Sequence, residues 1–87
     1  IMNINQLTVI VKTKLNKNIL CDKIEIEDKS FLHKNHISNN KNKFHIKLII
    51  DSEYLRKKNK IDSTKEIYKI LDHELKNYIH SIQILIN

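Results

Sequence analysis

The stretch FHIKLIIDSEYL, residues 44–55, decides the fold. Phe44, Ile46, Leu48 and Ile50 alternate with His45, Lys47 and Asp51, a period of two that only an extended strand turns into a single apolar face. Ile49 adds an apolar residue to the opposite face, so this strand is expected to be central and covered on both sides. Upstream, residues 23–27 alternate charged and apolar, with Ile24 and Ile26 on one face, and read as a half-buried strand. Downstream, residues 79–86 are dense in β-branched side chains, with Ile82, Ile84 and Ile86 on one face. The same alternation puts His80 at the entrance of that face.

Helices flank these strands. Ile4, Leu7, Val11 and Leu15 form one stripe over residues 4–16, widened by Val9 and Ile10. A second helix is expected to begin near Asp62 or Ser63, because Ser63 followed by Glu66 is a capping-box pattern. Its buried stripe is Ile67, Ile70, Leu71 and Leu75. Between strand and helix, residues 52–61 make a helical segment with Tyr54, Leu55 and a basic cluster. The order is helix, strand, strand, helical segment, helix, strand, without repeats or internal linkers. One α+β domain, residues 1–87, accounts for the chain. The polar stretch 28–43, rich in Asn, Lys and His, is long for a hairpin loop, which hints at function.

Composition bounds the function. An 87-residue chain builds one compact layer of helices on one sheet. No apolar run reaches the roughly 18 residues of a membrane helix, and no basic-then-apolar leader is present, so a soluble protein is expected. Cys21 is the sole cysteine, which excludes an intrachain disulfide and fits a reducing intracellular compartment, cytosolic or mitochondrial. Ile1 precedes Met2, as expected of a cloning remnant or a cut from a longer precursor. The formal charge of +6 and pI of 9.5 suit an anionic partner such as nucleic acid. That signal is discounted because Ile, Asn and Lys, all encoded by A/T-rich codons, make up about half the chain.

The absence of glycine excludes more. Phosphate loops, dinucleotide fingerprints and nucleophile elbows need Gly where backbone approaches a ligand or turns at positive φ. Asp28, Asp51 and Glu53 form no distinctive carboxylate pair, and no serine has an evident base. No catalytic residue is assigned, and the chain is not expected to be an enzyme.

Taken together the strings resemble the BolA family. FHIKLIIDSEYL, then a helix ending in Glu74-Leu75, then IHSIQI over residues 79–84, is similar to the family's His-containing strand, its Ser-acidic-x-aromatic segment and its strand with an obligatory His. IEIEDKSFLH, residues 24–33, resembles the first strand, the acidic-x-Ser turn and the loop histidine. The likeness spans about three quarters of the chain, the N-terminal helix agreeing in placement only. Two departures stand out. Lys57 lies near the place of the family's Gly, and Ser63-Thr64-Lys65 replaces its Arg-His-Arg triplet. The resemblance implies a class II KH-like BolA fold, α-β-β-α-α-β, with a mixed three-stranded sheet packed on helices.

It also implies a partnership with a monothiol glutaredoxin through a shared [2Fe-2S] cluster, the partner's cysteine and glutathione supplying sulfur. The chain would be a monomer alone and a heterodimer with that partner. His80 matches the family's C-terminal histidine and is the first candidate ligand. His33 follows Ser30 at the family's spacing and is favoured over His36 as the second. His45 matches a family position and reads as a supporting or structural residue, while His73 reads as surface. A zinc site from His33, His36 and His80 would lack a fourth ligand. Cys21, preceding the first strand, reads as a packed thiol. The alternative function is a KH-like or helix-turn-helix-like nucleic-acid binder. It would use Arg56, Lys57, Lys58, Lys60 and Lys65, but it lacks a Gly clamp and the family's basic triplet.

Overall fold

The computed structural model describes residues 2–30 and 43–87. Helix α1 (Ile4–Asn18) is followed by strands β1 (Lys23–Asp28) and β2 (Phe44–Asp51). Three helices come next, α2 (Glu53–Arg56), α3 (Lys60–Ile70) and α4 (Asp72–Asn77), and strand β3 (Ile79–Ile86) closes the order. The sheet runs β1-β2-β3, with β1 antiparallel and β3 parallel to β2. A parallel neighbour requires a crossover of a dozen or more residues, and α2 to α4 supply it. The mixed three-stranded sheet and its helical layer agree with the sequence reading.

Helix α1 starts where local chemistry dictates. The Asn3 side chain accepts the Gln6 N–H at 2.8 Å, and Gln6 returns a bond to the Asn3 N–H at 3.1 Å. Leu7, Val11 and Leu15 are fully buried, as their spacing predicts. They pack with Ile46, Leu48 and Ile50 of β2 and with Ile67 and Leu71 in one core. Helix α2 is capped by Ser52, whose Oγ accepts the Leu55 N–H and donates to the Leu20 carbonyl, tying the crossover to the end of α1.

Three expectations are corrected. Strand β2 is central, and among the described residues helices cover one of its faces only. Ile49 is half-buried, and Gln83 and Leu85 on the neighbouring strand are exposed. One added isoleucine was weak evidence for a second layer. Secondly, α3 begins before Ser63. Asn59 is its N-cap, accepting the Asp62 N–H at 2.8 Å. Ser63 instead lies inside the helix, fully buried, and donates its hydroxyl to the Leu55 carbonyl at 2.8 Å. Its supposed partner Glu66 binds Lys58 and Tyr54. Asn59-x-x-Asp62 and Ser63-x-x-Glu66 are both plausible starts locally, and burial of Ser63 against α2 decides between them. Thirdly, the long helix is broken at Leu71, where φ −97° and ψ 17° leave the helical region and separate α3 from α4.

Glu74 is a buried charge that periodicity could have flagged. It lies seven residues after Ile67, on the same stripe, and is only 2% exposed. Both of its oxygens accept from Lys14 Nζ, at 2.8 and 2.7 Å, which bolts α4 to α1.

Candidate functional site

The site is assembled by the parallel pairing of β2 and β3. At its start Phe44 pairs with Ile79, but His45 pairs with Ser81, so the register slips by one residue at His80. The slip is a β-bulge, which inserts one residue and re-aims a side chain. Ile79 before it is buried in the core, and Ile82 after it is half-buried among the core residues. His80 is exposed, and its ring lies 4.7 Å from that of His45, centroid to centroid, at an interplanar angle of 46°. Simple alternation had put His80 on the Ile82 face. The bulge instead sets it beside a residue that alternates away from Ile46 and Leu48.

His45 is held firmly. It is 8% exposed, its N–H donates to Ser30 Oγ at 3.1 Å, and its carbonyl accepts the Lys29 N–H at 2.6 Å. Ser30 is itself positioned by its N–H donating to Asp28 Oδ1 at 2.9 Å. The turn that ends β1 therefore clamps the first residues of β2. On the other side, His45 Nδ1 lies 2.7 Å from Ser81 Oγ, a contact that orients the ring. The sequence reading ranked His45 below His33, as a secondary candidate beside His36, and it missed Ser81 altogether. The shift of register that joins His45 to Ser81 leaves no local trace in the sequence.

His33 and His36, with the rest of residues 31–42, lie outside the described residues. Among the described residues no group of three or more His, Cys, Asp or Glu side chains is arranged to hold a metal ion. His73 is exposed on α4 and packs edge-on against Tyr78, with ring centroids 5.9 Å apart. Cys21 cannot join His45 and His80. It precedes β1, where Lys23 pairs with Asp51, about 20 Å along β2 from His45 at roughly 3.4 Å per residue. Its thiol donates to Asn16 Oδ1 at 3.3 Å and packs on the core. Partial burial, with a smaller push from the neighbouring Asp22 carboxylate, raises its pKa above the ordinary 9.0. Such a thiol stays protonated and unreactive at neutral pH.

The basic candidates divide. Lys58 donates to Glu66 Oε1 at 2.7 Å and sits 4.8 Å above the Tyr54 ring. The bond to Glu66, then the Tyr54 contact, raises its pKa, and the same bond holds the Glu66 carboxyl below its ordinary 4.5. Lys57 pairs with Glu53 at 3.7 Å. Arg56, Lys60 and Lys65 are exposed and make no ion pair among the described residues. Arg56, Lys58 and Lys60 line one side of a groove of about 300 Å³ whose other wall is Ile84, Leu85 and Ile86 of β3.

These features define a class of small α+β domain in which a mixed three-stranded sheet, helical on one face, presents a histidine pair at one end. The chain belongs to the BolA-like protein family, whose model matches residues 15–87. The BolA domain of SufE1 from Arabidopsis thaliana is similar in structure, with TM-score 0.76 and 25% identity over 100% of this chain and 94% of that chain. BolA1 from Arabidopsis thaliana gives TM-score 0.76 at 23% identity, over 100% of this chain and 93% of that one. BolA1 from Mus musculus gives 0.70 at 16% identity, over 88% and 60% respectively. These last two likenesses show the fold alone. No curated protein sequence matches the chain. No helix among the described residues is long and apolar enough to cross a membrane.

Proposed function

We propose that this chain is a non-enzymatic adaptor that pairs with a monothiol glutaredoxin and shares a [2Fe-2S] cluster with it, in cluster trafficking or iron regulation. The observation that carries the reading is the exposed imidazole of His80, set by a bulge at the rim of the sheet beside a second, anchored imidazole. Membership of the BolA-like family supports the adaptor role. The donor set fits a bridged cluster. The described residues bring imidazoles to the rim and keep the only thiol at the far end of the sheet, so sulfur ligands must come from the partner and glutathione. A histidine-ligated cluster has a higher potential than an all-thiolate one and is sensitive to pH. His80 is assigned as ligand, with His33 of residues 31–42 as the second. Such a partnership belongs in a reducing compartment, cytosol or mitochondrion.

The test is anaerobic reconstitution with a glutathione-loaded monothiol glutaredoxin, iron and sulfide, followed by visible absorption and circular dichroism. A heterodimer spectrum distinct from that of the glutaredoxin homodimer is expected, and His80→Ala should disturb it. A spectrum unchanged by that substitution overturns the ligand assignment. One observation favours the nucleic-acid reading, the exposed Arg56, Lys60 and Lys65, which make no ion pair among the described residues. Against it, Lys58 is already held by Glu66 at 2.7 Å, and Lys57 lies beside the Glu53 carboxylate. Affinity for DNA or RNA should be lost at near-physiological salt; retention there would favour this second reading.

A further inference from the structure

We propose that the outer edge of β3 is a docking port for an extended acidic segment of a partner protein, which joins the sheet as a fourth strand and sets its carboxylates against Arg56 and Lys60. The port is separate from the histidine end of the sheet. Ile86 lies about 20 Å along the strand from His80, so both ends can be occupied together. Neither iron nor glutaredoxin enters this second contact.

The edge comes first. β3 is the last strand of the sheet, and beyond it the Asn87 N–H donates to the Ile50 carbonyl at 2.9 Å while the Asn87 carbonyl accepts the Ser52 N–H at 3.1 Å. Asn87 therefore turns both main-chain groups toward β2, and alternation turns those of Ile82, Ile84 and Ile86 outward. Among the described residues no hydrogen bond reaches that outer edge. Charge, proline or a bulge commonly blunts such an edge. From Ile82 to Ile86 there is no charge and no proline, and the bulge lies back at His80.

The groove beside this edge selects the occupant. Its walls carry Arg56, Lys58 and Lys60 but no carboxylate. Lys58 is engaged by Glu66, whereas Arg56 and Lys60 are exposed and make no ion pair among the described residues. Side chains of an added strand alternate between two faces. One set turns toward the helices and meets these cations, so it is acidic. The other turns to the open face of the sheet, where Leu85 is 42% exposed, so it is apolar. A second copy of this chain fits poorly, because β3 has no acidic residue to offer and two chains of +6 repel. A nucleic-acid strand would meet the cations but has no row of amides for the edge. The groove also lacks an aromatic ring on which a base stacks. Main-chain hydrogen bonds supply affinity in strand addition, and the alternate side chains supply specificity.

The probe is an end-capped octapeptide of alternating Glu and Val, titrated into the whole chain and followed by calorimetry and amide hydrogen exchange. It should bind about tenfold or more tightly than a block isomer of the same composition, because only alternation sends every carboxylate to the helical side. Exchange of the Ile84 and Ile86 amides should slow about tenfold, with that of Leu85, already turned to β2, unchanged. Arg56→Glu combined with Lys60→Glu should weaken binding about tenfold, and Lys17→Glu with Lys69→Glu, the same change of net charge elsewhere, should leave it within about twofold. N-methylation of either the Glu amides or the Val amides should abolish binding, with the other set tolerated. Loss with the Val set means a parallel strand, and loss with the Glu set an antiparallel one. No binding, equal binding of the block isomer, or equal effects of the two methylations overturns the proposal. Displacement of the peptide by an octamer of deoxythymidine overturns it too, in favour of nucleic acid. Glutaredoxin pairing is read by heterodimer formation, so the two readings fail separately.

Discussion

Replacing Lys14 with Met should destabilise the domain severely, although Lys14 is a half-exposed lysine on a surface helix. Its ammonium is the sole ion-pair partner, among the described residues, of a Glu74 side chain that is 3% exposed. Removing one member of a fully buried pair costs about 3–5 kcal/mol, because a charge is left without solvent or partner. Here the lysine side chain is 37% exposed, so water can follow into part of the space it vacates. We therefore expect about 2 kcal/mol. For a domain of this size each kcal/mol lowers Tm by about 4–8 °C, so the melting point should fall by roughly 8–16 °C. Urea unfolding at pH 7, followed by circular dichroism, measures the loss directly. The double variant Lys14→Met with Glu74→Leu removes both charges and should recover most of the stability, since apolar replacements of a buried pair are near neutral. A loss below about 0.5 kcal/mol in the single variant, or a double variant no more stable than it, refutes the account.

Three further outcomes follow from the same structure. Asn59→Ala should cost about 1 kcal/mol in urea unfolding, because Asn59 rather than Ser63 satisfies the first turn of α3. The Lys58–Glu66 pair should add acid sensitivity. Glu66 is depressed below 4.5, so its contribution is complete above that pH and is lost as pH falls through the lower folded value. Lys58 is raised above 10.5, so its part is complete below that pH and is lost only in strong alkali. Lys58→Met should flatten the acid limb of a stability–pH curve and leave the shape between pH 6 and 9 unchanged, both figures being approximate. Cys21 should react with iodoacetamide at pH 7.5 well below the rate of an unstructured cysteine peptide, with parity in the native state counting against its packed, protonated thiol.

Much of the fold was legible locally. The period of two in residues 44–50 and the stripe of Leu7, Val11 and Leu15 report burial through spacing, and Ile46, Leu48, Ile50 and the helix stripe are buried where it put them, whereas the burial of His45 on the other face was not legible this way. The candidate site was legible only in its residue types. His45 and His80 could be named, but their meeting depends on strand pairing between segments 35 residues apart, and on a one-residue slip in it. Strand alternation is a local rule, and a bulge breaks it without any sequence mark when no glycine is present. Ser63 and Glu66 failed as a cap for a related reason, because an equally good start lies one turn earlier and only contact with α2 discriminates.

Sequence by itself determined the three strands, the helical stretches between them, their order, the apolar faces and the exclusion of glycine-dependent sites, though not the start of α3 or the break at Leu71, since spacing and composition act within a few residues of each other. Tertiary structure alone decided which side chains meet. The Lys14–Glu74 bond spans 60 positions, and the contact of His45 with Ser81 spans 36. Both exist because the crossover lays β3 parallel to β2 and α4 against α1, a geometry enforced by burying one core rather than by any local propensity.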